Sequence, residues 1–497
     1  MTEELAASVP TREPRIDPHV MRVAIVIILG TIMSALDTTI VNVALHDLSG
    51  DLNASLGQIQ WVITGYLLSL AAVIPVTGWA VRRYSARKLY LIALVVFTAG
   101  SALCAFATNS TELIAFRVLQ GVGGGMLTPI GQMILVKAAG RQNLPKVMSM
   151  FGVPIMLAPI LGPTIGGLLL QSVGWQWIFL VNVPVGAVAL TLAWRLLPHD
   201  VAGTDAAGRL DVIGLILAAT GVVGITYGLS EFETAGSLTA PTVLGPVILG
   251  LVLLTVFVLR SQRITRPLLD LSLFRNSAYS AASIVSFFLG AALFGAMILM
   301  PLYFQEIRHQ DAIDTGLLLI PQGLGGAVGM WLSGRATNRI GAGRTAVIGA
   351  LIMIVATIPY VAVTANTSYL LISGAMLIRG VGVGLAIMPA FTAAFSVLEP
   401  DQINDASPQL TVLQRVGGSL GTALIAVVLQ KQTEHAATVS AAAAGFANTY
   451  WVVMAMTVVA LVPTVFLMRI ERRTRRQDAE LAALTAAADV PRELETV

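Results

Sequence analysis

Apolar runs long enough to cross a bilayer recur along nearly the whole of this 497-residue chain. Each crossing of the hydrocarbon takes about 20 apolar residues as a helix. Outer-membrane strands would instead show about ten residues of alternating polarity, and that alternation is missing here. No soluble core could bury so much apolar surface: 56% of residues are hydrophobic and 11% charged, against about a quarter charged in soluble domains. The expectation is an all-α polytopic membrane protein. Its first six spans are expected near 22–45, 57–81, 88–107, 111–136, 147–171 and 176–197. Two more fall near 211–230 and 241–260, and a last six near 279–304, 315–337, 344–364, 368–396, 408–430 and 448–468.

The basic residues test that count. Of the 30 Lys and Arg, 25 fall in the two terminal segments and in alternate loops, such as Arg82, Arg83, Arg87 and Lys88, or Arg335, Arg339 and Arg344. The opposite loops hold only Arg308 and Lys431, and Arg117, Arg379 and Arg415 lie within spans. Positive charge stays in the cytoplasm, so both termini are expected inside and the number of spans must be even. The chain then divides into a cytoplasmic tail (1–21), a six-helix bundle (22–200), and two linker helices with flanking loops (201–275). A second six-helix bundle (276–469) and a C-terminal tail (470–497) complete it. The first 21 residues are charged and contain proline, and no small-residue cleavage site follows, so a retained span is expected rather than a signal peptide. The last tail is basic and then rich in Ala and Glu, as expected of a short amphipathic helix contacting anionic lipid.

Internal repetition is visible. Residues 78–88 read GWAVRRYSARK and residues 334–344 read GRATNRIGAGR, each with Gly first, Arg five residues later and a basic residue last. Arg117 stands in RVLQGVGGGM and Arg379 in RGVGVG, an intramembrane Arg leading into spaced glycines at the same ordinal span of each half. A repeated six-helix unit is the sequence trace of transporters built from two related halves.

These segments resemble the major facilitator superfamily, and within it the fourteen-span drug:proton antiporter family, over residues 20–470. The Gly78–Lys88 loop is similar to that family's loop between second and third helices, with Arg82 where many members carry Asp and Ser85 where Gly is usual. LIAFRVLQGVGGGM (Leu113–Met126) resembles its fourth-helix motif, and APILGPTIGGLL (Ala158–Leu169) its antiporter motif. WQWIFLVNVPVG (Trp175–Gly186) and LDTTIVNVAL (Leu36–Leu45) resemble hallmarks of the fourteen-span branch. The resemblance implies a major facilitator fold of two six-helix bundles plus two extra helices, working by alternating access in a bacterial inner membrane.

Asp37 is the clearest acid deep within a span. A carboxylate there costs at least about 2.5–3.5 kcal/mol on insertion scales, so it needs a partner, water or a proton. It is therefore a candidate for proton exchange, with a structural hydrogen-bonding role as the alternative. Arg117, by resemblance, is the fourth-helix arginine of proton coupling; its five donors suit a fixed hub equally well. Asn42, Gln60, Trp61, Tyr66, Gln132, Asn182, Gln305 and Gln322 are candidate substrate-cavity liners, each also explicable as a packing hydrogen bond or interfacial anchor. Gly78, Arg83, Gly334 and Arg339 in the repeated loops, with Gly121, Arg379 and Arg415, are candidates for gating. So are Pro159, Gly162, Pro163, Gly166 and Gly167, where proline bends a helix and glycine admits a close neighbour.

Several function classes drop out. The single Cys104 excludes a disulfide framework and a cysteine metal cluster, and no cofactor is expected. A net charge of +3, dispersed, does not point to nucleic acid. No Gly-x-x-x-x-Gly-Lys-[Ser/Thr] phosphate loop is found, and the five histidines are scattered rather than clustered for catalysis. The expectation is proton-coupled efflux of small amphipathic or cationic drugs by a monomer whose partners are substrate, protons and lipid. The alternatives are a dedicated exporter of one metabolite (antibiotic, siderophore or lipid) and a transporter-like sensor.

Overall fold

The computed structural model describes residues 16–199, 208–231, 237, 239–264, 267–434 and 436–488, and every regular element among them is helical. Thirteen helices organise it: α1 (Pro18–Ile40), α2 (Leu56–Val73), α3 (Ala86–Ala105), α4 (Ser110–Val173) and α5 (Asn182–Leu196) come first. The linker pair is α6 (Val212–Ser230) and α7 (Pro241–Ser261). The rest are α8 (Ser277–Met297), α9 (Ala312–Ile340), α10 (Ala342–Thr357), α11 (Tyr369–Ser396), α12 (Ile403–Thr433) and α13 (Val439–Ala488).

Polar caps set where the helices begin. Asp17 accepts from the His19 amide at 2.8 Å ahead of Pro18, which occupies the first turn of α1. Ser55 and Gln58 form a reciprocal capping box on α2. Asn109, Asn276 and Asp311 cap α4, α8 and α9. Each cap satisfies amides that a helix leaves without partners at its start.

Thirteen segments are long and apolar enough to cross a membrane. One element cannot be a single crossing. The 64 residues of α4 would make a rod of about 96 Å at 1.5 Å per residue, against a hydrocarbon core of about 30 Å. The helical path breaks at Gly140, where φ is +62° and ψ 174°. Divided there, α4 gives two stretches, 110–139 and 141–173, each longer than the about 20 residues that one crossing needs. Some spans read from hydropathy are shorter than the helices that carry them: α12 begins at Ile403 rather than 408, and α13 runs from Val439 to Ala488 rather than 448 to 468.

The packing repeats. In the first half α4 lies against α1 and α3, while α5 lies against α1 and α3. In the second half α11 lies against α8 and α10, while α13 lies against α8 and α10. The halves meet where α4 packs against α9, α11 and α12. The linker pair α6 and α7 pack on each other, and α6 lies across α2 and α12, one helix from each half.

Close approach of helices rests on absent side chains. A Cβ at Gly121 would fall 2.6 Å from the Tyr66 carbonyl oxygen, with Ser69 also in its way. Gly57, near the start of α2, faces open space. Overpacking of this kind costs about 1–3 kcal/mol. Gly121→Ala is therefore expected to lower the thermal unfolding midpoint clearly, while Gly57→Ala leaves it unchanged or slightly raised; equal behaviour of the two would contradict this packing.

Candidate functional site

The first-half helices converge on one buried ion pair. Asp37 on α1 is 0% exposed and Arg117 on α4 is 1% exposed, and their side chains meet at 2.6 Å. Asp37 Oδ1 also accepts from Gln120 Nε2 at 2.9 Å and from Asn182 Nδ2 at 3.0 Å. Arg117 Nη1 reaches Gln120 Oε1 at 2.7 Å, and its Nε donates to the Val62 carbonyl at 3.2 Å. The Tyr66 ring lies 4.0 Å beneath the guanidinium and Phe179 faces it at 5.6 Å. Asn182 further donates to Ser101, which donates to the Phe179 carbonyl. Five helices, α1 to α5, thus supply atoms to one network.

Sequence reasoning placed Asp37 and Arg117 on different spans with no stated contact; the structure joins them. Gln120 was missed, although it stands three residues after Arg117 and so shares its helix face. Tyr66 and Asn182, expected as cavity liners, sit inside this network, 0% and 5% exposed.

The glycine-proline segment of α4 braces the helix that carries Asp37. A Cβ at Gly162 would strike Thr39, and one at Gly166 would fall 2.9 Å from the Ile40 carbonyl. Thr39 itself donates to the Ala158 carbonyl at 3.1 Å. On its other side the segment meets the second half, with Gly167 against Ile313 and Pro163 near Gly316 of α9. The side chain of Pro159 lies outside the described residues.

At the end bearing the basic loops the two halves touch directly. Arg82 pairs with Asp405 at the start of α12, at 2.6 Å. Beside them, a Cβ at Gly78 would come within 2.6 Å of the Asn404 carbonyl. Ser407 donates to the Pro129 carbonyl at 3.0 Å and bonds Gln132 at 2.9 Å. The second repeat loop does the same in reverse: Gly334 abuts Ser149 and the Lys146 backbone of the first half. Arg83 and Arg339 lie exposed at matching places. Ser85 and Gly341, also matching, both turn left-handed at φ +83° and +98°. Glycine adopts that conformation freely; Ser85 holds it while its hydroxyl caps the Lys88 amide. Arg82 therefore keeps a charged clasp between the halves with the sign reversed from the family's usual acid.

The other proposed liners are dispersed. Gln322 borders a small cavity with Met156, Leu293, Met297 and Gly380. Asn42, Gln60 and Gln305 are exposed, and Trp61 stacks on Tyr227 of the linker helix α6 with centroids 5.9 Å apart. Arg415 is half-buried and its Nε has no hydrogen-bond partner; Arg379 is 2% exposed with Nε and Nη2 unpartnered.

Comparison with known proteins follows this geometry. Residues 27–422 match the family model described as Major Facilitator Superfamily. The chain is 38% identical over 432 residues to the Multidrug resistance protein B homolog of Mycobacterium tuberculosis, covering 86% of this chain and 79% of that one. It is 31% identical over 427 residues to the Methylenomycin A resistance protein of Bacillus subtilis, covering 86% and 90%. Among solved structures, the proton:xylose symporter XylE superposes with TM-score 0.62 at 15% identity, over 90% of this chain and 95% of that one.

The Arg82–Asp405 clasp is tested by charge exchange. Arg82→Asp and Asp405→Arg are each expected to lower thermal stability, and the double variant to recover most of the loss. A coupling energy of about 0.5–3 kcal/mol is expected for such contacting residues; strictly additive losses would show that the two charges do not act on each other.

Proposed function

The chain belongs to the major facilitator superfamily, and from that premise we propose that it exports small amphipathic or cationic drugs in exchange for protons. Family and fold make it a membrane transporter and not an enzyme. Bacterial relatives support an inner-membrane location, and the distribution of basic loops supports cytoplasmic termini. Multidrug and antibiotic-resistance relatives support efflux.

The observation that carries proton coupling is the Asp37–Arg117 pair. Protonating Asp37 cancels its charge and leaves Arg117 with neutral partners only. Breaking a buried ion pair by removing one partner costs about 3–5 kcal/mol. One proton crossing 100 mV releases about 2.3 kcal/mol, and each pH unit adds about 1.4 kcal/mol. The two sides are of the same size, so one proton is enough to unlock the pair.

The unlocking has a mechanical outlet. Asp37 lies two residues before Thr39, which is bonded to Ala158 and packed on Gly162. The same α4 segment bears on α9 of the second half, so a shift of α1 reaches the seam between halves. With the basic end inside, the clasp of Arg82 and Asp405 seals the cytoplasmic side, and release of the clasp opens it to cargo. Met156, Met297 and Leu293 beside Gln322 offer an adaptable apolar wall with one polar contact, which suits amphipathic molecules of varied shape. The resistance relative named for a single antibiotic favours a second reading, export of one dedicated metabolite. Growth of a deletion strain against a broad compound set separates the two, since a dedicated exporter protects against one compound.

Asp37→Asn keeps size and an acceptor oxygen while removing the titratable charge. In proteoliposomes this variant is expected to lose transport driven by an imposed pH gradient yet retain substrate counterflow, which needs no net proton movement. Full pH-driven transport by the variant would remove Asp37 from the mechanism.

A further inference from the structure

Among the described residues, the second half contains a buried cation with no ion-pair partner. Arg379 occupies, in the repeat, the place that Arg117 occupies in the first half, and it is 2% exposed. Arg117 is neutralised by Asp37 and uses its remaining donors on Gln120 and Val62. Arg379 has no such set: its Nε and Nη2 are buried with no hydrogen-bond partner.

Two tyrosines share the defect. Tyr360, in the turn after α10, and Tyr450, on α13, are each 1% exposed, and both hydroxyls are buried and unpartnered. Their rings stack with centroids 4.9 Å apart, and the turn that carries Tyr360 packs against both α11, which bears Arg379, and α13, which bears Tyr450. Neither hydroxyl is within hydrogen-bond reach of the guanidinium, so the polar groups are held near one another but not in contact. Around them stands an apolar cluster that includes Met376, Phe446 and Val453.

The chemistry of this set is one-sided. A guanidinium offers donors alone and stays charged inside a protein. Tyrosine hydroxyls beside it have no carboxylate to serve. A buried ion left uncompensated costs several kcal/mol, and unsatisfied buried donors add to that. Water would satisfy some donors and leave the charge. A small anion satisfies both, accepting from the guanidinium and from both hydroxyls at once.

We propose that Arg379, Tyr360 and Tyr450 form a resident site for a small inorganic anion of the chloride class, which does for the second half what Asp37 does for the first. The near-complete burial of all three side chains argues for a monatomic ion rather than an organic cargo. The site is independent of the transport reading, because its occupancy is measured without any gradient or substrate.

The full-length protein in lipid nanodiscs tests it. Thermal unfolding is followed in sodium chloride, sodium bromide and sodium gluconate at equal concentration. The midpoint is expected to be higher in either halide and to rise with halide concentration, as for any ligand that binds only the folded state. The double substitution Tyr360→Phe and Tyr450→Phe keeps both rings and removes both donors. Hydrogen bonds to a charged group are among the stronger ones in proteins, so this variant is expected to weaken the halide response by about a hundredfold or more in concentration. Arg379→Met is expected to abolish the response while remaining folded in gluconate; if that variant fails to fold, the tyrosine pair carries the test alone. Bromide should give an anomalous-scattering peak beside Arg379. Equal midpoints in halide and gluconate, or a halide response untouched by the tyrosine substitutions, overturns the proposal.

Discussion

A single charge pair, Asp37 with Arg117, decides how the first half is built. Hydrocarbon tolerates neither charge alone, so each helix must deliver a partner at the same depth. α1 brings the acid, α4 the arginine and Gln120, α2 the Val62 carbonyl and the Tyr66 ring, α3 Ser101, and α5 Asn182. Apolar side chains fit any lipid-like surface and cannot fix one helix against another with this specificity. The polar network does fix it, and the glycines allow the backbones to come near enough for its bonds to form. Gly124 illustrates the point, since a Cβ there would press on the Tyr66 and Ser34 oxygens at 3.0 and 3.2 Å.

Much of this was legible in the sequence. Helical class, repeated halves, the basic end and the importance of Asp37 and Arg117 follow from apolar length, loop charge and the cost of intramembrane ions. The contact between Asp37 and Arg117 was not, because 80 residues separate them and only packing sets which helix faces which. Asp405 and Ser407 escaped for a similar reason: they look like ordinary polar residues at a helix start. Their roles appear only when the Gly78 loop of the other half is set beside them. The turn within α4 was misjudged in kind, as a loop between spans, since one left-handed glycine at position 140 suffices to redirect an otherwise continuous helix.

The linker pair also acquires a place. α6 rests on α2 and α12 together and stacks Tyr227 against Trp61. Val416 of α12 packs with Ile225, Leu229 and Val247 of the pair. The outward sides of α6 and α7 remain apolar and exposed, with Ile213, Ile216, Leu249 and Leu251 more than half uncovered, as a lipid-facing surface should be. On that flank the pair covers part of α2 and α12.

The reciprocal loops have a further consequence. Gly78 is pressed on α12 of the second half, and Gly334 on the Lys146–Ser149 stretch of the first. Each half therefore fastens the other, and full separation at this end requires both fastenings to open. Two latches acting in parallel share the load: loosening one leaves the other holding the halves together. The first includes the ion pair of Arg82 with Asp405, and the second the close fit of Gly334 against Ser149 and the Lys146 backbone. Electrolyte screens the Arg82–Asp405 attraction, while the close fit at Gly334 does not depend on it.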